Sequence, residues 1–210
     1  MNRPATDRAG TRHAKQLARR RVIHWAVTFL GVVLGTLFCP DSSADSGVPL
    51  ALQVRLFARL APYDRNFKAR ADGVANILVV RRKGDADSAF EQSSLVRALS
   101  DVSDVGGIPI RVTEAELTDV DALAKRCRTE RIAVLYLTVG LESELPKLAA
   151  ALASGDILTV GTTARHAENG AVLGFALEEA RPRLVINLPR ARSQHVDFRA
   201  EVLALARFIE

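Results

Sequence analysis

Val74-Ala75-Asn76-Ile77-Leu78-Val79-Val80 is a β-branched and aliphatic run that starts directly after Gly73. A strand with one wet face alternates apolar and polar residues; a continuous apolar run marks a strand covered on both faces, the habit of parallel sheets. Reading outward, Gly84–Asp87 is a loop, and Ser88 with Glu91 forms a capping-box pair opening a helix to about Leu99, with Leu95, Val96 and Leu99 inward. Gly106-Gly107 turns the chain into a second strand, Ile108–Val112, and Thr118 caps a helix whose apolar face is Val120, Leu123, Ala124 and Cys127. Ile132–Thr138 is a third strand, Ser143 caps a helix with Leu145, Leu148, Ala149 and Leu152 inward, and Gly155 stops it. Ile157–Val160 is a fourth strand. Past the Asn169-Gly170 turn, Ala171–Leu177 and Leu184–Leu188 are joined too closely for a crossover, so they form an antiparallel hairpin.

Towards the amino end, Leu52, Leu56, Phe57 and Leu60 fall at helical spacing behind Pro49, and Pro62 weakens the helix near its end. At the carboxyl end, Phe198, Val202, Leu205, Ala206 and Ile209 predict a closing helix with one apolar face. Alternating strands and helices predict an α/β domain, a mostly parallel sheet with helices on both faces and an antiparallel C-terminal hairpin.

The first residues read as a leader. Arg12, Lys15 and Arg19–Arg21 precede an apolar run without formal charge, Val22–Phe38, and then a turn-prone stretch in which Ser42 and Ala44 stand where a signal peptidase reads small residues. The organisation is therefore a signal peptide over 1–44, cut after Ala44, and one domain over 45–210. An uncleaved anchor is the competing reading, because a spanning helix needs about 20 apolar residues and the run falls a little short. Lipid attachment at Cys39 is disfavoured by the bulky Phe38 before it, and the Arg19-Arg20 pair lies in the wrong surroundings for a twin-arginine signal.

Charge supports the division. The whole chain carries 29 basic and 24 acidic residues, but Met1–Ala44 holds seven basic and two acidic ones, leaving Asp45–Glu210 balanced at 22 against 22. The basic excess belongs to the leader, so it argues for no nucleic-acid or acidic partner. Beyond the leader only Cys127 remains, which excludes an internal disulfide, and its place on an apolar stripe predicts a buried structural thiol.

Chemistry-bearing constellations are few. His166 and His195 lie in no metal-ligand spacing and are expected on a helix surface or cap. No nucleophile elbow and no phosphate-loop lysine motif is present. Glu178 and Glu179 are adjacent, so a strand points them to opposite faces. Gly161-Thr162-Thr163 ends a strand at the side where open α/β sheets hold ligands, and Asn187 ends another; these four are candidate ligand-binding residues. Thr162 or Thr163 as a plain helix cap is the alternative. No catalytic residue, metal ligand or cofactor is assigned.

Ile157-Leu158-Thr159-Val160-Gly161, the Asn169-Gly170 turn, Leu173-Gly174-Phe175, Leu184-Val185-Ile186-Asn187 and the closing Val202–Arg207 stretch resemble, in order and spacing, the YfiR family; Ala133–Leu137 is similar to that family's central strand. The resemblance implies a periplasmic α/β protein, often a homodimer, that binds the periplasmic part of an inner-membrane diguanylate cyclase and holds it inactive, lowering cyclic di-GMP and biofilm growth. It implies no catalysis. Two features depart from the best-known member type: the cysteine pairs are reduced to Cys127, and Leu56–Phe67 stands where an aromatic-tryptophan-proline segment is expected.

Three functions follow as alternatives. A regulator acting on a membrane sensor, a diguanylate cyclase or a histidine kinase, would use the first helix, with Arg55, Arg59 and Tyr63 as partner-binding residues. A small-molecule receptor would use the Thr162 crevice. A hydrolase is the weakest of the three.

Overall fold

The computed structural model describes residues 47–210. The leader, its cleavage after Ala44 and Cys39 lie outside the described residues.

Eight strands form one sheet in the order β2-β3-β1-β4-β5-β6-β7-β8. The central strand β1 (Ala75–Arg82) pairs in parallel with β3 (Ile108–Leu117) on one side and β4 (Val134–Leu137) on the other. Beyond β4 come β5 (Leu158–Gly161) and β6 (Leu173–Glu178), both parallel, and then β7 (Arg181–Asn187), antiparallel to β6. The short β2 (Asp104–Val105) folds back on β3, and β8 (Ala206–Ile209) closes the other edge, parallel to β7.

The apolar run of β1 does what its composition requires. Ile77 and Val79 face one core and Leu78 and Val80 the other, all without solvent exposure. The first core lies under α1 (Leu50–Leu60), a 3-10 turn (Ala61–Tyr63), α2 (Phe67–Ala71) and α3 (Ala86–Ser100). The second lies under α4 (Val120–Thr129) and α5 (Leu145–Ala151). Three short helices complete the chain: α6 (Ala164–Glu168), α7 (Leu188–Ser193) and α8 (Ala200–Leu203). The connection from β1 runs through α3 on one face to β3, and α4 returns on the opposite face to β4. The strand order therefore reverses between β1 and β4, where a doubly wound sheet opens a crevice.

The hairpin and both helical layers agree with the sequence reading; the closing helix does not. Only Ala200–Leu203 is helical, Leu205 is exposed, and Ala206–Ile209 is strand. The apolar spacing there is equally compatible with a short edge strand, and pairing with β7 satisfies backbone groups that four residues of helix could not. The second strand continues five residues past Val112, because an edge strand covered on one side carries charges such as Glu114 and Glu116 without breaking.

Helix starts also shift by one to three residues. Asp85 caps α3, its Oδ1 accepting from the Ser88 N–H at 2.9 Å, and Asp119 caps α4, accepting from the Ala122 N–H at 2.7 Å. Glu144, not Ser143, occupies the cap position of α5.

Candidate functional site

The crevice at the carboxyl ends of β1 and β4 is filled by the protein's own polar side chains. Ser88 on α3 accepts from the Arg82 N–H at 2.8 Å and shares a 2.6 Å hydrogen bond with the Thr138 hydroxyl. Thr138 Oγ1 also donates to the Val80 carbonyl at 3.0 Å. One turn further along α3, Glu91 Oε2 accepts from the Val139 N–H at 2.5 Å, tying the helix to the loop after β4. That loop is held to β1 as well, through the Arg82 guanidinium donating to the Gly140 carbonyl at 3.0 Å. Gly140 has φ +83°, and an added Cβ would meet the Asp85 carboxylate at 2.8 Å, so glycine is required on both counts.

Ser88 and Glu91 are thus the pair whose spacing reads as a capping box, yet both are spent on long-range contacts. A three-residue spacing at a helix start signals only that two side chains share a face. It carries no information about whether that face meets the helix's own backbone or another element.

A second polar group adjoins this one at the end of β5. Thr162 is 2 % exposed; its carbonyl accepts from the Gln53 amide of α1 at 3.0 Å, while its own hydroxyl has no well-formed partner among the described residues. Thr163 is the cap residue of α6, and its N–H donates to His166 Nδ1 at 3.2 Å. An Nδ1 that accepts leaves the neutral imidazole's proton on Nε2, which lies 3.5 Å from Glu142 Oε1. His166 is a cap residue, as the sequence implies, but it has no solvent exposure. It packs against Gly161, where any Cβ would collide with its ring, so this glycine is present for close packing.

Burial sets the protonation of the group. It pushes Glu91 up from the ordinary carboxyl value, with the neighbouring Glu142 charge adding to it and the Val139 N–H and Thr162 hydroxyl opposing it. It pushes His166 down from the ordinary imidazole value, against the pull of Glu142 and of the Thr138 backbone. Burial thus favours the neutral form of both groups, the His166 imidazole and the Glu91 carboxyl, each of which has Glu142 as a neighbour. No cluster of three or more His, Cys, Asp or Glu able to hold a metal is found among the described residues.

Asn187 lies apart from these residues in its bonding. Its Nδ2 donates to the Ala167 carbonyl at 2.8 Å and its Oδ1 accepts from the Arg190 N–H at 3.0 Å, so its amide joins α6 to the start of α7. Gly161, Thr162 and Thr163 are contiguous, and the two threonines line an open cavity of about 400 Å³ with Arg165, Glu168 and Phe175.

The other candidate face is α1. Phe57 is fully buried and meets Tyr136 of β4 edge-on, with ring centroids 5.4 Å apart, whereas Leu56 is half-buried. Arg55 and Arg59 are exposed, and Tyr63 follows one turn later at 41 % exposure. The spacing puts the three along one solvent-facing line. Arg55 Nε donates only to the Ala51 carbonyl of its own helix, at 3.1 Å.

Solved structures share the fold. A conserved domain protein from Vibrio cholerae O1 biovar eltor aligns over 77 % of this chain and 60 % of its own, at TM-score 0.57 and 18 % identity. The ABC domain from Streptococcus pneumonia, solved in complex with L-Trp, aligns over the same shares at TM-score 0.56 and 12 % identity. A ligand-free, open substrate-binding protein with adhesive properties from Clostridium difficile aligns over 69 % and 57 %, at TM-score 0.50 and 14 % identity. The chain spans about 60 % of the length of the first two, and at these identities the likeness is one of fold. No curated protein sequence matches it. The YfiR/HmsC-like family, DUF4154, matches residues 57–207, from the buried Phe57 of α1 to Arg207 of β8, and the chain belongs to that family.

Proposed function

We propose that this protein is a periplasmic regulatory binding protein that represses an inner-membrane signalling enzyme, a diguanylate cyclase in the first instance, and so restrains cyclic di-GMP and biofilm formation. The family match over residues 57–207 is the observation that carries the reading. The leader-like amino end supports export, and no helix among the described residues is long and apolar enough to cross a membrane.

Recognition is assigned to the exposed line of α1. Arg55 and Arg59 on α1 and Tyr63 in the 3-10 turn after it offer two charges and an aromatic ring, the residue types that anchor interfaces, beside a helix fixed to the core by Phe57. With the domain's charge balanced, binding depends on local fit more than on bulk electrostatic steering. The test is co-purification with the periplasmic segment of the sensor encoded beside it. Changing Arg55, Arg59 and Tyr63 together to Ala abolishes capture and leaves the melting temperature unchanged. Deleting the gene raises cellular cyclic di-GMP; an unchanged level together with undiminished capture by the triple variant refutes the reading.

A receptor for a small solute is the second reading. It rests on Thr162, a buried residue that lines the cavity at the end of β5. Gly161, Thr163 and Asn187 would then shape the site from the backbone, and a thermal-shift screen separates it from the first reading.

A further inference from the structure

At the opposite end of the sheet, the segments leading into β1, β4 and β5 line an open cavity of about 460 Å³, within the usual size of small-molecule sites. Its floor is apolar, formed by Cys127, Leu152 and Ile157, all buried. Three guanidiniums, of Arg70, Arg128 and Arg131, share the walls with the carboxylates of Asp72 and Asp156.

The guanidiniums are unequally committed. Arg70 is buried and uses three of its five N–H groups, on Asp64 Oδ2 at 2.6 Å, Asp156 Oδ1 at 3.0 Å and the His195 carbonyl at 3.1 Å. Arg131 pairs with Asp72 at 2.8 Å, but these side chains are 74 % and 70 % exposed, and such a pair yields readily to a better anion. Arg128 reaches only the Ala151 carbonyl, at 3.3 Å. With Asp64 counted beside Asp72 and Asp156, three guanidiniums face three carboxylates, and Arg128 is the one without a carboxylate partner among the described residues. A single uncommitted guanidinium suits a monocarboxylate better than a phosphate dianion.

The backbone around the cavity is also unusual. Asp72 (φ 45°), Arg131 (φ 49°) and Ser154 (φ 63°) all adopt the left-handed conformation that residues with a Cβ avoid, half of the six such residues described. Each lies within two residues of a helix's C-cap, so these left-handed residues turn the chain out of three helices and shape the rim of the cavity.

We propose that this cavity binds a small carboxylate with an apolar body, such as a medium-chain fatty acid. The carboxylate sits against the Arg128 and Arg131 forks, a geometry that guanidinium matches well, and the chain lies over Cys127, Leu152 and Ile157. The site is separate from both the α1 face and the Thr162 crevice.

Cys127 supplies the readout. Cys127 is 3 % exposed on the cavity floor and burial pushes its thiol up to about 12, so it labels slowly, and a chain lying over it shields it further. In full-length protein carrying Cys39→Ser, Cys127 is the one remaining thiol. Octanoate at a hundred times its Kd is expected to slow maleimide labelling about 100-fold and to raise the melting temperature by roughly 5–10 °C. Octylammonium, with the same chain and the opposite charge, is expected to do neither. Arg128→Gln with Arg131→Gln is expected to abolish both octanoate effects. Arg128→Gln alone leaves the Asp72 pair intact and weakens octanoate at least tenfold, which keeps the test sharp should the double variant unfold. Equal protection by both amphiphiles overturns the proposal, as does octanoate that leaves labelling unchanged or still protects the variants.

Discussion

His166 and Glu91 sit in one polar group but respond to pH in opposite senses. The folded His166 has a pKa below the ordinary 6.5, so the unfolded chain takes up the proton first as pH falls. Stability is therefore expected to decline from about pH 6.5 downward until the folded pKa is passed. Glu91 has a folded pKa above 4.5, so its contribution is complete below pH 4.5 and is lost as pH rises through the folded value. Urea midpoints measured across pH should show His166→Gln without the acid-side decline that starts near 6.5, and Glu91→Gln without the loss that starts near 4.5. Profiles identical to the parent's would show that folding shifts the pKa of neither group, and would refute this account. Little of this was legible in the sequence. Thr163 reads as a helix cap and His166 as a surface or cap residue, but the burial of His166 depends on Thr138 and Glu142 in the loop after β4, far away in the sequence.

At the scale of elements, the amino-terminal helices are bound to the chain's far end by one buried ion pair. Asp64 and Arg70 have side chains 0 % and 1 % exposed, and Asp64 Oδ1 also accepts from the Asn66 and Asp197 N–H groups, at 3.1 and 2.9 Å. Removing the Asp64 charge leaves the buried Arg70 with only the half-exposed Asp156 as counter-ion, so Asp64→Asn is expected to cost about 3 kcal/mol in urea unfolding, the low end for breaking a buried pair. Pairing Asp64→Leu with Arg70→Met should not restore it, because two backbone donors lose their acceptor. A cost within about 1 kcal/mol for Asp64→Asn would refute this account. The strand–helix alternation was readable because apolar period reports on layers. The fate of Ala206–Ile209 was not, since four residues cannot distinguish a period of 2 from one of 3.6. Nor could Asp64-Arg65-Asn66, which reads as a helix breaker, announce a buried ion.

For the whole molecule, β8 decides what the far edge of the sheet presents. It covers β7, where Leu184, Val185 and Ile186 are buried. Deleting Ala206–Glu210 should leave that strand as a bare apolar edge, and light scattering should then detect concentration-dependent association absent from the parent. A truncated protein that stays monomeric would mean the edge is protected by other means. The overall class could be read early, because β1 is buried on both faces and only a doubly covered sheet permits that. The cavity near Cys127 could not, because it is made from loops that share no sequence pattern.

The bond from the Asp197 N–H to Asp64 spans 133 residues, and Asp64 also bridges Phe198. Synthesis delivers Asp64 long before these partners, so the amino-terminal helices cannot lock onto the sheet while the chain is still growing. Contacts this distant in sequence form slowly, after the intervening chain has been ordered. On the export route proposed above, which would carry the chain through a membrane unfolded, such a delay is an advantage: the structure would close only when the last dozen or so residues had arrived on the far side.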